Sequence, residues 1–159
     1  MGSESKQSNS NGKFLPASKE FEFRQYPFYW ITRLSNLYTH EMEKRLKKQG
    51  MNITSWRVCM ILRENGVLNM TDIATHAVGR LSTINKAVYR MQEQGLVKVE
   101  RNETDARVTM VEITDKGRQT VGQLIESTSR IIERALTDLS AEEIKSLNGI
   151  AEHIFENLS

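Results

Sequence analysis

Residues 95–117 read GLVKVERNETDARVTMVEITDKG, two short runs of alternating apolar residues around a polar turn, set between long helical patterns. The alternation predicts two strands: Leu96, Val97 and Val99 in the first, Val108, Met110, Val111 and Ile113 in the second, with RNETDA between them. A lone two-stranded ribbon is marginal in water and has to lean on a core built elsewhere. Only the flanking helices can supply that core. The chain is therefore restricted to a mostly α fold carrying one small hairpin.

From Pro27, apolar residues recur every three or four positions (Phe28, Ile31, Leu34, Leu37 or Tyr38, Met42), predicting a helix that ends at Gly50. Lys44, Arg45, Lys47 and Lys48 suit the negative end of its dipole. Thr54 can cap a second helix holding Trp56, Val58, Cys59, Ile61 and Leu62, stopped by Asn65 and Gly66. Asn69 begins a short third helix through Ala77, VGR turns the chain, and Ser82 caps a fourth helix that Gly95 closes. From Thr114 the pattern is helical almost to the end, broken near TDLSAEE, where Ser140 and Glu143 make a capping box. Three compact helices followed by a hairpin make a winged helix-turn-helix, spanning about residues 52–113. The long helices at about 27–50 and 114–158 are additions to it, and residues 21–159 read as one domain. Residues 1–20, rich in Ser, Asn, Gly and Lys, are expected to be a disordered tail.

Composition excludes more than it assigns. A formal charge of +2 neither requires nor forbids nucleic acid, because the distribution of charge decides. Cys59 is alone, so no internal disulfide framework exists. No apolar run approaches the roughly 20 residues that span a bilayer, so no membrane partner is expected. The polar start MGSESKQSNSNGK lacks the apolar stretch of a signal peptide, and a cytoplasmic location is expected. His40, His76 and His153 are scattered, without a nucleophile motif, glycine-rich phosphate loop or metal-ligand spacing. No catalytic residue, metal or cofactor is expected, and the chain reads as no enzyme.

On the fourth helix, Ile84, Ala87 or Val88 and Met91 form one apolar stripe, expected to pack on Ile73, Ala74 and Ala77. The opposite face presents Ser82, Thr83, Asn85, Lys86, Tyr89 and Arg90, and from Arg80 to Arg90 there are three cations and no acid. A helix entering a major groove needs short polar groups near its start for base edges and phosphates, and cations along its flanks. Ser82, Thr83 and Asn85 meet the first need; Lys86 and Arg90 meet the second, and Arg80 opens the same basic strip toward DNA. At the hairpin tip stand Arg101, Asp105 and Arg107. Arginine is the usual probe of a narrow minor groove, which makes Arg107 the candidate probe. Asp105 is expected to orient the guanidinium of Arg107 or Arg101 through charge-assisted hydrogen bonds. The plainer alternative is an ordinary surface ion pair.

The hairpin sequence resembles the wing signature of the MarR family of bacterial repressors: a strand, a D-x-R tip falling on Asp105 and Arg107, a second strand ending in I-T, then x-x-G. LSTINKAVYRMQEQGLV resembles the recognition helix that precedes that wing. The resemblance runs from about Tyr26 to the C-terminus. It implies an obligate homodimer that binds double-stranded DNA at a pseudo-palindromic operator and is released by a small ligand or by thiol oxidation.

Residue patterns outside the winged domain point the same way. Val121, Leu124, Ile125, Ile131, Ile132 and Leu136, then Leu139, Ile144, Leu147, Ile150, Ile154 and Leu158, form more apolar surface than one small domain can cover. A second copy across a two-fold axis would bury it; the alternative is an intramolecular bundle. Tyr29, Arg33, Asn36 and His40 fall on one face of the first helix, and Trp56, Arg57 and Met60 lie on the second. A ring, a cation and hydrogen-bonding groups suit an aromatic carboxylate or its thioester. Taken singly, Trp56 and Met60 also read as core and Arg33 as a solvated or inter-subunit residue. YPFYWITRLSN and SWRVCMIL are similar to the aromatic-acid branch of the family, which implies a hydroxycinnamate or its coenzyme A thioester as effector. Cys59 offers a redox switch as an alternative, although an apolar helix usually holds an inert thiol. An alternative of a different class is a winged-helix module that binds proteins and never touches DNA.

Overall fold

The structure, a computed structural model, describes residues 11–159, so the first half of the expected tail lies outside the described residues. The described residues fall into two compact units that divide between Glu41 and Met42. No helix among the described residues is long and apolar enough to cross a membrane.

In the first unit the chain is ordered by local bonds well before residue 21. A 3-10 turn covers Gly12–Phe14, the Glu22 N–H donates to Lys13 O at 3.1 Å, and Lys13 pairs with Glu22 at 3.4 Å. Residues 13–22 turn back along the segment that leads into the first helix. That segment is aromatic. Phe23 meets Tyr29 edge-on at 4.8 Å, Phe21 meets Tyr26 at 5.9 Å, and Trp30 Nε1 donates to Arg24 O at 2.9 Å. Helix α1 (Pro27–Leu46) opens with proline, whose missing N–H costs nothing at a first turn. It stops at Leu46, short of the expected Gly50. Lys47–Gln49 tighten into a 3-10 turn, and Gly50 supplies the left-handed residue (φ 69°) that ends it.

The second unit takes the last turn of α1 from Met42 and the 3-10 turn Lys47–Gln49, then α2 (Ile53–Asn65), β1 (Leu68–Asn69), α3 (Met70–His76), α4 (Leu81–Glu93), β2 (Val97–Arg101), β3 (Thr109–Ile113), α5 (Asp115–Ala135) and α6 (Ala141–Leu158). Its core gathers Val58, Cys59 and Leu62 of α2, Ile73 of α3, Ile84, Val88 and Met91 of α4, Val111 of β3, and Val121 and Leu124 of α5. Two helix starts differ from the sequence reading. Asn52, not Thr54, caps α2, its side chain accepting from Ser55 N–H at 2.9 Å; asparagine is a strong cap and sits directly before the first helical residue. Helix α4 has Arg80 at its cap position with no side-chain cap, leaving Ser82 inside the first turn. Asn69 caps α3 and Ser140 with Glu143 closes the capping box of α6, as the spacing implied. The Ser140 backbone N–H holds the Glu143 carboxyl below the usual carboxylate range.

The hairpin is not two-stranded. A third strand, β1, pairs antiparallel with β3, giving the order β1-β3-β2 with β3 central. Val97 faces Ile113, Val99 faces Val111 and Arg101 faces Thr109. The dependence of a short ribbon on its surroundings is thus met by an added strand as well as by packing on α2 and α4. The turn between α4 and β2 is clamped to the start of α5. Thr114 Oγ1 donates to Gly95 O at 2.7 Å and accepts from Gly117 N–H at 3.0 Å, while Lys116 Nζ donates to Gln94 O at 2.7 Å. Helix α6 buries no residue within the single chain.

Candidate nucleic-acid interface

The orientation of α4 follows from its buried stripe. Ile84, Ala87, Val88 and Met91 are all in the core, as the spacing required, with α3 packed against them. That leaves Arg80, Ser82, Thr83, Lys86, Tyr89 and Arg90 exposed, a face with three cations and no carboxylate. Asn85 departs from this pattern. It is half-buried, and its Oδ1 is out of contact with solvent and without a hydrogen-bond partner. A buried acceptor left unpaired is costly.

Asn85 lines a cleft of about 410 Å³ formed where the start of α3, the stretch of α4 from Leu81 to Tyr89 and the wing at Arg107, Val108 and Thr109 converge. Asn85 and Tyr89 from the helix and Arg107 from the wing share this cleft, so three candidates from two elements meet on one concave surface. Thr71, Asp72 and Thr109 also line it, and the sequence reading did not select them. Asp72 was visible in principle. It stands three residues after the Asn69 cap, and the pair bonds reciprocally: Asp72 N–H donates to Asn69 Oδ1 at 2.9 Å and Asn69 Nδ2 to Asp72 Oδ2 at 2.7 Å.

The wing tip is held by backbone-directed bonds. Asp105 Oδ1 accepts from the Arg107 main-chain N–H at 2.9 Å, so the acid fixes the chain at Arg107, whereas a bond to a guanidinium had been expected. An Asp side chain two residues before an N–H closes a small turn of its own, and this local bond competes successfully with a longer reach to a mobile guanidinium. Arg101 ends β2, and Arg101, Asp105 and Arg107 are all exposed. Lys98 is engaged elsewhere. It pairs with Glu100 at 2.7 Å, and the hydrogen bond and charge of that carboxylate raise its pKa.

In the first unit, the Arg33 guanidinium lies 5.4 Å from the Tyr29 ring centroid and 6.0 Å from that of Trp30. Two of the candidate ligand residues therefore form a cation–π pair, with Trp30 as an unforeseen third member. Asn36 and His40 are exposed on α1. In the second unit, Trp56 is buried in the core, Met60 half-buried and Arg57 exposed on α2. Cys59 is fully buried, and desolvation pushes its thiol up to about 12. No group of three or more His, Cys, Asp or Glu among the described residues is arranged to hold a metal ion.

The MarR family model matches residues 51–109, the segment from α2 to the start of β3. The HTH-type transcriptional repressor IacR of Pseudomonas putida is 43% identical over 143 residues, 90% of this chain and 86% of that protein. A MarR-family transcriptional regulator from Silicibacter pomeroyi superposes with a TM-score of 0.80 at 21% identity, covering 88% of this chain and 94% of that one. Bordetella bronchiseptica BpsR, whose DNA binding is regulated by 6-hydroxynicotinic acid, superposes with a TM-score of 0.71 at 16% identity, covering 80% and 96%.

Proposed function

From a chain that belongs to the MarR family of transcriptional regulators, we propose a homodimeric repressor that binds a pseudo-palindromic operator and is released by an aromatic acid, such as a hydroxycinnamate or its coenzyme A thioester. The cleft shared by Asn85, Tyr89 and Arg107 supports the DNA reading, because it joins a recognition helix and a wing in one concave surface, with Arg80, Lys86 and Arg90 exposed on the same helix. In this reading α4 enters the major groove with Ser82, Thr83 and Asn85 toward base edges. Arg80, Lys86 and Arg90 take phosphates and Arg107 reaches into the adjacent minor groove. Asn85 suits an adenine edge in the major groove, because its amide carries an acceptor and a donor side by side. Repression agrees with the name of the relative IacR.

Support for the effector comes from the first unit, where Tyr29, Trp30 and Arg33 combine aromatic faces with a cation suited to a carboxylate. BpsR, a structural neighbour, responds to an aromatic acid. The burial of Cys59 argues against oxidation as the trigger. A thiol with a pKa of about 12 is protonated at neutral pH, and the thiolate is the species that oxidants attack.

Footprinting should find a protected inverted repeat, with half-sites about one or two helical turns apart. Arg107→Ala is expected to weaken operator binding by roughly ten- to a hundredfold, the scale of a lost groove contact. Lys86→Ala should reduce the slope of log affinity against log salt by about one phosphate contact. A module that binds only proteins has no operator affinity to lose, and salt-independent binding would contradict the surface assigned here. Separately, hydroxycinnamates or their thioesters should raise the melting temperature and displace the operator. No effect from either class removes the effector reading and leaves the DNA reading standing.

A further inference from the structure

We infer that Asn102 is a positioning residue of the wing, which holds Arg107 in the shape that meets DNA without touching DNA itself. The inference rests on the reading of Arg107 as a groove probe. Asn102 directly follows β2 and is half-buried at the mouth of the turn. Its Oδ1 accepts from the Thr104 N–H at 2.9 Å, the Thr104 hydroxyl at 2.6 Å and the Asp105 N–H at 3.2 Å. Its own main-chain N–H donates to Val108 O at 2.8 Å, closing the neck of the loop. Asp105, so fixed, bonds the far side of the turn twice: its carbonyl accepts from Val108 N–H at 2.9 Å, and its side chain from Arg107 N–H at 2.9 Å. One side-chain oxygen thus sets the main chain at Thr104 and Asp105, and Asp105 sets the main chain at Arg107.

The tip has little packing to fall back on beyond the cleft that Arg107 lines. Glu103, Thr104, Asp105, Ala106 and Arg107 are all exposed, so their arrangement depends on these bonds. Without the Asn102 acceptor, the turn samples many shapes. Arg107 is then presented correctly in only a fraction of molecules, and apparent affinity falls by that fraction. Global stability is hardly affected, because an exposed turn contributes little to the core.

Asn102→Ala is expected to weaken operator binding roughly fivefold, the scale of removing one side-chain cap, while the melting temperature falls by no more than about 2–4 °C. The same replacement in an Arg107→Ala chain is expected to change affinity hardly at all, because Asn102 acts through Arg107. Amide exchange of the free protein should show Thr104 and Asp105 losing protection while β3 retains it. Asn102→Ser, whose hydroxyl can still accept from the N–H two residues on, should recover part of the affinity. An Asn102→Ala chain that binds as tightly as the unaltered protein overturns the inference. So does an undiminished loss in the Arg107→Ala background, which would mean that Asn102 acts on DNA directly or through the fold. If Arg107→Ala alone leaves affinity unchanged, the wing reading fails and the inference with it.

Discussion

Gly117→Ala is expected to destabilise the protein by about 3 kcal/mol, at the upper end of what overpacking a core costs. In a chain of this size that corresponds to a fall of about 10 °C in thermal midpoint, readable by circular dichroism. A Cβ at Gly117 would overlap the carbonyl oxygen of Leu96 and come within 2.8 Å of Ile113 Cγ1. Neither neighbour can retreat easily. Leu96 O already accepts from the Thr114 N–H and hydroxyl, both at 3.1 Å, and Ile113 is buried at the end of β3. The methyl group would therefore push the start of α5 away from the sheet and break the clamp between Thr114, Lys116 and the turn after α4. Gly122, one and a half turns further along α5, is the control. Nothing lies within 4 Å of the Cβ it would gain, so Gly122→Ala should be neutral or gain up to about 1 kcal/mol of helix propensity. If Gly117→Ala melts like the unaltered protein, the close approach of α5 to Leu96 is wrong.

The same junction shows which parts of the fold were legible in the sequence. Thr114 and Gly117 could be read as a cap and an early helical residue, but the approach of Leu96 O depends on how two distant elements dock. Periodicity fixed what depends on one helix alone: the stripe from Ile84 to Met91 is buried and the face from Ser82 to Arg90 is largely exposed. It failed for Asn85, whose half-burial comes from α3 and the wing, walls that the period of α4 cannot reveal. Strand β1 was illegible for a similar reason. Two residues, Leu68 and Asn69, carry no alternation, and they are a strand only because Val111 and Met110 lie opposite. Cap assignments went astray where two candidates stood close together, as with Asn52 and Thr54. Asn102 was within reach, since asparagine three residues before aspartate in a polar turn is turn chemistry, but its three bonds depend on the turn's closed shape, which residue types alone do not specify.

The second large effect is expected from Leu147→Asp combined with Ile150→Asp on α6. Within one chain Leu147 is 50% and Ile150 60% exposed, and with Phe155 and Leu158 they leave an apolar stripe uncovered along a helix that buries nothing. Fully burying such side chains is worth about 1.5–3 kcal/mol each, so an interface between two copies that covers the stripe draws on several of them at once. Aspartates there would carry charge into that interface, four times over across a two-fold axis, where each unpaired carboxylate opposes association. The variant should run as a monomer at micromolar concentration by sedimentation while keeping its helical content, because both positions already face solvent in the single chain. Operator affinity should then fall by roughly a hundredfold or more, since linking two half-site contacts multiplies affinity through effective concentration and a monomer has only one. The two readouts separate the steps of the reasoning. A variant that stays dimeric shows that α6 is not the joining surface. A monomer that still binds the full operator with undiminished affinity shows that the helices need no partner to read DNA, and the two-fold arrangement proposed for this regulator would have to be abandoned.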